Sequence, residues 1–188
     1  MAENVWLIRH AATEWSKSGQ HTGRTDIPLL EEGRDAARKL PERLAGQTFA
    51  RVLVSPLGRA RETAELAGLM DDAQLRDDLM EWDYGDYEGR TTPEIRERRP
   101  HWFLWRDGVP NGETADQVGA RVDRIIAEVD PVEGDVALVA HGHVLRVLAA
   151  RWLEAPAAFG ARLHLGTAAI CVLGWERDVR VIDRWNQT

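Results

Sequence analysis

The sequence of 188 residues has one cysteine, two lysines and no long apolar run. Cys171 cannot form a disulfide within the chain, and its apolar neighbours predict a buried side chain. A membrane span takes roughly 20 apolar residues, so we expect no membrane as a partner. The first 15 residues carry Glu3, Arg9 and His10 and do not have the pattern of a signal peptide. These absences predict a cytoplasmic protein.

The chain is also short of positive charge, with 24 Lys and Arg against 31 Asp and Glu and a formal net charge of −7. Nucleic acids are bound through positively charged surfaces, so this balance argues against a nucleic acid as a partner. A small anionic ligand is not excluded, because its binding depends on the local field and not on the overall charge.

Short apolar runs alternate with helical patterns, and neither an internal repeat nor a long linker divides the chain. Residues 5–8, 51–54 and 136–140 are each followed by a polar turn and a helical pattern, which is typical of buried parallel strands. Residues 168–173 and 179–182 predict two further strands. We therefore expect one domain over residues 1–188, a three-layer α/β/α fold with a mostly parallel central sheet.

Four helices are predicted, over residues 31–44, 55–68, 115–129 and 144–153. Pro41 is expected to break the first, because a proline inside a helix costs about 3 kcal/mol. Ser55 is expected to cap the second, with Pro56 in its first turn and Gly68 just beyond its end. Residues 81–114 are rich in aromatic residues, Gly, Pro and Arg, and are expected to form a lid or a pocket wall.

Polar residues follow each of the first three predicted strands. They are Arg9 and His10, then Ser55 and Arg59, then His141, Gly142 and His143. In a parallel α/β sheet, ligands bind beyond the carboxyl ends of the strands, so these residues are expected to converge. Arg59 falls in a first helical turn, where the helix dipole disfavours a cation unless an anion also lies there. The spacing thus favours an anion-binding catalytic site over structural polar groups.

These motifs resemble those of the histidine phosphatase superfamily, also called the phosphoglycerate mutase-like family. LIRHAATEW at 7–15 is similar to its Arg-His-Gly signature, with Ala11 at the glycine position. TGRTDIPL at 22–29, SPLGRARETA at 55–64, EWDYGDYEG at 81–89 and AHGH at 140–143 follow in the family's order. The segments at 15–20 and 81–89 most resemble the branch of acid phosphatases and sedoheptulose-bisphosphatases.

The resemblance implies a phosphatase that hydrolyses small phosphate esters, such as sugar phosphates or bisphosphates, without a metal or another cofactor. His10 would form a phosphohistidine. Arg9, Arg59 and His141 would surround the phosphate oxygens. Glu81 would protonate the leaving oxygen and then activate water, which predicts activity at mildly acidic pH. The further residues that we expect to contact the substrate are Ser16, Thr22, Gly23, Gly142 and His143.

Three alternatives stay open. A phosphoglycerate mutase must shield its phosphohistidine from water, and the short stretch between the Arg59 and His141 motifs favours a phosphatase. A non-catalytic module that binds a phosphorylated ligand has no need of a proton donor, so the presence of the Glu81 motif argues against this alternative. A zinc ion at His10, His141 and His143 would meet repulsion from the neighbouring arginines.

The sequence defines the leaving group less well. Residues 81–114 contain the arginines Arg90, Arg96, Arg98, Arg99 and Arg106. One or more of them are candidates to bind a second phosphate or a carboxylate of the substrate. The alternative is that they form a solvated helix face. The remaining histidines, His21, His101 and His164, are predicted to lie on the surface or in loops. A homodimer is compatible with the sequence.

Overall fold

A six-stranded, mostly parallel sheet runs through the centre of the protein in a computed structural model that describes residues 2–188. The strands are β1 (Ala2–Arg9), β2 (Arg51–Val54), β3 (Ala73–Leu75), β4 (Gly134–Ala140), β5 (Ile170–Glu176) and β6 (Val179–Gln187). Their order in the sheet is β3-β2-β4-β1-β5-β6. The first four strands in that order are parallel, and β5 and β6 are antiparallel to their neighbours.

Helices cover both faces of the sheet. They are α1 (Glu14–Ser18), α2 (Glu31–Arg38), α3 (Leu40–Arg43), α4 (Gly58–Leu66), α5 (Thr92–Arg98), α6 (Leu104–Asp107), α7 (Ala115–Val129) and α8 (Gly142–Trp152). Leu7 and Leu138 pack with α7 and α8, whereas the next residues, Ile8 and Val139, pack with α2, α3 and α4. This alternation gives two buried clusters, one on each face, and confirms the predicted three-layer α/β/α fold. Within residues 2–188, no helix has the length and apolar character needed to cross a bilayer.

Pro41 breaks the helix predicted over residues 31–44, as the sequence indicated. α2 ends at Arg38, and α3 starts at Leu40 with the proline in its first turn. There the missing N–H has no intrahelical partner to lose, so the proline is tolerated.

The predicted start of the next helix is wrong. α4 begins at Gly58, with Leu57 in the capping position and no side-chain cap. Ser55 continues the sheet instead, because its N–H donates to the carbonyl of Val139 at 2.9 Å. Its hydroxyl lies 2.7 Å from the ring of His141 and accepts from the N–H of Leu57 at 3.4 Å, so it holds the turn that precedes the helix. The end of the helix follows the prediction, since Gly68 has a φ of +70° just beyond it.

Residues 81–114 lie against the carboxyl edge of the sheet as loops, a 3₁₀ turn, α5 and α6. Their apolar side chains belong to the same buried cluster as α7 and α8, and they are Trp82, Tyr84, Ile95, Trp102, Leu104 and Trp105. Burial of this much aromatic surface anchors the segment to the core. It therefore forms one side of the space beyond the strand ends.

Candidate active site

His10 and His141 meet at the carboxyl edge of the sheet because they follow the paired parallel strands β1 and β4. The N–H of His10 extends this pairing by donating to the carbonyl of Ala140 at 2.9 Å. The two ring centroids are 5.1 Å apart, and both side chains are buried. The convergence that the sequence predicted for these two histidines is thus present.

One hydrogen bond fixes the orientation of the His10 ring. Its Nδ1 lies 2.7 Å from the carbonyl oxygen of Ala11. A carbonyl can only accept, so Nδ1 carries the hydrogen and Nε2 keeps a free lone pair. Burial, together with the charges of Arg9 and Arg59, lowers the pKa of His10 well below its ordinary value. The ring is therefore neutral, with a nucleophilic nitrogen at Nε2.

Ala11 holds the backbone next to His10 without strain. Its N–H donates to the hydroxyl of Thr63 at 3.0 Å, and that hydroxyl donates to the carbonyl of Arg59 at 2.7 Å. Among the non-glycine residues of the described chain, six have a positive φ, and Ala11 is not one of them. The backbone of Ala11 thus lies outside the left-handed region, where a Cβ is strained. An alanine is therefore accommodated at the position where the family has glycine.

Arg59 fixes the protonation of His141. Its Nε donates to Nδ1 of His141 at 3.1 Å, and a guanidinium cannot accept in return. The hydrogen of His141 is therefore on Nε2, which donates to the hydroxyl oxygen of Ser55 at 2.7 Å. Burial, followed by the charge of Arg59, lowers the pKa of His141 well below its ordinary value. His141 is a neutral ring with both nitrogens hydrogen-bonded.

The rest of the Arg59 guanidinium binds the loop before α2. It donates to the carbonyl oxygens of Thr25 at 2.9 Å, Gly23 at 2.9 Å and Thr22 at 3.1 Å. The side chain is fully buried and does not reach the cavity described below. Arg59 thus joins His141 to this loop.

The anion that the sequence placed at the start of α4 is supplied by the protein. The N–H of Gly58 donates to Oδ2 of Asp26 at 2.8 Å, and Oδ1 of Asp26 lies 3.8 Å from Nη1 of Arg59. A carboxylate of the protein thus lies at the helix end where the sequence predicted a ligand anion, and the ligand itself stays a prediction. An aspartate carboxylate compensates the cation in the first turn.

Arg9 makes fewer hydrogen bonds within the protein than Arg59 does. Its Nη1 donates to the carbonyl of Leu165 at 2.6 Å, while its Nε is buried without a hydrogen-bond acceptor. A Cβ on Gly142 would lie 3.2 Å from the guanidinium carbon, so the glycine provides the space that Arg9 occupies. Burial lowers the pKa of Arg9, and the nearby Glu81 opposes that shift. Arg9 lines the cavity with a donor available to an anion.

Glu81 lies at the N-terminus of α8. Its Oε1 accepts from the N–H groups of Trp82 and Val144, both at 2.9 Å, and its Oε2 accepts from the N–H of His143 at 3.0 Å. The N–H groups at a helix N-terminus have no intrahelical acceptors, and the carboxyl oxygens of Glu81 supply acceptors for two of them. The side chain is 5% exposed and lines the cavity. Oε2, with one donor, is the oxygen with more room for a proton or a substrate.

Arg9, His10 and Glu81 form one end of a cavity of about 340 Å³. Aromatic side chains also line this cavity, and they include Tyr84, Trp102, Phe103 and Trp105. A cavity on which polar and aromatic side chains converge is typical of a small-molecule site.

The predicted substrate contacts divide into two groups. Ser16, Thr22, Gly142 and His143 line the cavity. Gly23 is buried outside it, where its N–H donates to Glu88 at 2.8 Å and a Cβ would lie 2.6 Å from the carbonyl of Trp82. Close packing, and not a ligand, accounts for that glycine.

The sequence prediction missed several residues of the cavity, and the two that can be charged are His21 and Arg146. His21 was expected on the surface or in a loop. Arg146 lies one turn after His143 on α8, a spacing that would have placed both on one face. Of the five arginines in residues 81–114, Arg96 lines the cavity.

Within residues 2–188, no group of three or more His, Cys, Asp or Glu side chains is arranged to hold a metal ion. The carboxylate near the histidines, Glu81, is hydrogen-bonded to backbone N–H groups.

The family model of the histidine phosphatase superfamily, branch 1, matches residues 5–188. The chain belongs to this superfamily. The resemblance that the sequence predicted is thereby confirmed. The first and last of its motifs, which contain His10 and His141, come together in the structure.

Two curated histidine phosphatases and one solved structure show how similar the relatives are. An acid phosphatase of Mycobacterium tuberculosis is 42% identical over 183 residues, which cover 93% of this chain and 87% of that protein. A sedoheptulose 1,7-bisphosphatase of Saccharomyces cerevisiae is 41% identical over 178 residues, 78% of this chain and 66% of that protein. The structure of an open reading frame product from Mycobacterium tuberculosis has a TM-score of 0.94 and 39% identity, covering 99% of this chain and 98% of that chain.

Replacing Arg59 by Lys tests the role of this side chain in the histidine phosphatase site. An ammonium group cannot reach three carbonyls and His141 together, so buried acceptors lose their donors. We expect the free energy of unfolding, measured by urea denaturation, to fall by about 2–4 kcal/mol. Arg61→Lys, at an exposed position of the same helix, is the control and should change it by less than about 0.5 kcal/mol. Equal effects of the two substitutions would contradict the assignment.

The buried histidines also predict how stability depends on pH. Burial lowers the pKa of His10, His141 and His143 well below that of an unfolded histidine. Below about pH 6.5 the unfolded chain therefore binds protons that the folded chain does not. The free energy of unfolding should be at its full value above that pH and fall by up to about 3 kcal/mol on going from pH 6.5 to 5.5. Urea denaturation across this range measures it, and a constant value would refute the prediction.

Proposed function

We propose that the chain is a phosphomonoesterase that hydrolyses small phosphorylated metabolites through a phosphohistidine on His10. The supporting observation is the neutral His10 ring, whose Nδ1 is held by the Ala11 carbonyl while Nε2 is free at the cavity end shared with Arg9 and Glu81. A nucleophile, a cation and a carboxyl group in one cavity are the parts that a two-step phosphoryl transfer needs.

In the first step, Nε2 of His10 attacks phosphorus in line, and the bond from phosphorus to the leaving oxygen breaks. Glu81 gives its proton to that oxygen, so the alcohol leaves neutral. The Ala11 carbonyl accepts from Nδ1 and stabilises the positive charge that the ring gains. In the second step, Glu81 takes a proton from water, the water oxygen bonds to phosphorus, and the bond to His10 breaks.

The transferred phosphoryl group is stabilised by positive charge that surrounds it in the transition state. Arg9 contacts the phosphate directly, because it lines the cavity and its terminal nitrogens make one hydrogen bond within the protein, from Nη1 to the carbonyl of Leu165. Arg59 and His141 lie one layer further away, where Arg59 adds its charge and both residues hold their neighbours in place. This arrangement modifies the expectation that all three side chains touch the phosphate oxygens.

Sugar phosphates or bisphosphates are the proposed substrates. The similar proteins include an acid phosphatase and a sedoheptulose bisphosphatase. A cavity of about 340 Å³ accommodates a small sugar. Arg96 and Arg146 on its lining add positive potential that favours dianionic substrates. A cytoplasmic location and a homodimer stay predictions from the sequence.

Steady hydrolysis of p-nitrophenyl phosphate tests the proposal. Wild type should release phosphate, and His10→Ala should reduce the rate about 1,000-fold or more, because no covalent intermediate can form. His101→Ala, at an exposed histidine, is the control and should keep the wild-type rate. Acid-labile phosphate on the wild-type protein, trapped by rapid denaturation, should disappear in His10→Ala.

The same assay separates the alternatives. Equal inactivity of wild type and His10→Ala would favour a module that binds a phosphorylated ligand without turnover. Interconversion of 3-phosphoglycerate and 2-phosphoglycerate that is far faster than phosphate release would identify a mutase. The phosphatase proposal requires release to dominate.

The role of Glu81 predicts a dependence on the leaving group. Nitrophenolate leaves without a proton, whereas an alkoxide does not. Glu81→Gln should therefore lower kcat/KM for glycerol 3-phosphate by about 100-fold, and for p-nitrophenyl phosphate by far less. Asp77→Asn, which changes an exposed carboxylate four residues before Glu81, is the control. Equal losses on both substrates would contradict the role of Glu81 as a proton donor.

A further inference from the structure

Two histidines that the mechanism leaves without a role, His21 and His143, line the cavity, and both contact Tyr84. The ring centroids of His21 and Tyr84 are 4.8 Å apart, and those of Tyr84 and His143 are 5.9 Å apart. The N–H of His143 donates to Oε2 of Glu81 at 3.0 Å. In the proposed function Glu81 protonates the leaving oxygen, so both histidines lie on the side that the leaving group occupies.

The hydrogen-bond role of His21 is fixed by the backbone. Its Nδ1 lies 2.7 Å from the carbonyl oxygen of Arg90, which can only accept. Nδ1 therefore carries the hydrogen, and Nε2 presents a lone pair. Burial lowers the pKa of His21, so the ring is neutral and this nitrogen remains an acceptor. Edge contacts with Tyr84 and with Trp102, whose centroid is 5.6 Å away, hold the ring in place.

His143 has the opposite role. Its Nδ1 is in short hydrogen-bond contact with the hydroxyl of Tyr84. Tyr84 is buried, and burial raises the pKa of its hydroxyl well above the ordinary value, so the hydroxyl keeps its hydrogen. A buried hydroxyl hydrogen without an acceptor is costly, so Tyr84 donates to Nδ1. The hydrogen of the neutral His143 ring is then on Nε2, which is a donor.

We propose that Nε2 of His21 accepts from, and Nε2 of His143 donates to, hydroxyl groups of the leaving group, so that these histidines select polyhydroxylated phosphate esters. Hydroxyls both donate and accept, and thus match this pair. A carboxylate or a second phosphate only accepts and would meet the lone pair of His21, so the second phosphate of a bisphosphate has to lie elsewhere in the cavity, nearer Arg96 or Arg146. Unsubstituted alkyl groups would leave both nitrogens without partners. The inference rests on the proposed phosphatase function and names the class of its leaving group.

Three substrates with three-carbon leaving groups isolate this selection: glycerol 3-phosphate, n-propyl phosphate and 3-phosphoglycerate. For wild type, we expect kcat/KM to favour glycerol 3-phosphate over each of the other two by about tenfold, the effect of one or two hydrogen bonds. In His21→Phe, which keeps an aromatic ring against Tyr84 and Trp102, the preference over n-propyl phosphate should fall toward one. His21→Gln keeps an acceptor and should restore part of it.

His101→Phe is the matched control, because the same substitution at an exposed position should keep the wild-type ratios. Thermal unfolding confirms that each variant is folded, and the wild-type ratios test the inference without any variant. Equal losses on glycerol 3-phosphate and n-propyl phosphate in His21→Phe would show that His21 only shapes the cavity. A wild-type preference for 3-phosphoglycerate would show that the site binds an anion there. Either result overturns this inference, whereas absence of phosphate release from any ester would overturn the proposed function itself.

Discussion

The hydrogen bond from Arg59 to His141 is the contact on which the site depends. A guanidinium buried among strand ends is costly unless its nitrogens find acceptors. Each of the three nitrogens of Arg59 has at least one, among an imidazole nitrogen and three loop carbonyls. In doing so Arg59 fixes the protonation of His141, attaches residues 22–25 to the sheet edge, and contributes to the lowered pKa of His10. The neutral nucleophile is thus partly a consequence of this buried cation.

The local field at the sheet edge differs in sign from the protein as a whole. The net charge is −7, yet Arg9, Arg59, Arg96 and Arg146 lie at or near the cavity. The acidic residues that surround Arg59 and Arg9 are already hydrogen-bonded to the backbone, as Asp26 and Glu81 show. The guanidinium groups therefore attract an anion that enters the cavity, because the neighbouring carboxyl groups are fixed by their own hydrogen bonds.

The sequence predicted the strands and the convergence of His10 and His141 because these follow from apolar runs and from the geometry of parallel strands. It missed β3, whose three residues on the sheet edge form no apolar run. It assigned Ser55 to a helix cap because a serine before a proline has that local pattern, whereas its partner is a histidine 86 residues away. His21 was missed for the same reason. Its position depends on the carbonyl of Arg90 and on rings from another segment, which no local pattern records.

Two helix N-termini point at the site, and protein carboxylates occupy both of them. Asp26 accepts from the first turn of α4, and Glu81 accepts from the first turn of α8. In the proposed function the phosphate is then held by side-chain donors, above all Arg9, whose charge does not change over the ordinary pH range. Burial lowers the pKa of His10 well below its ordinary value, so the nucleophile of the proposed reaction stays neutral while Glu81 supplies the proton of the first step. A site built in this way keeps its anion binding and its nucleophile independent of the group that donates the proton.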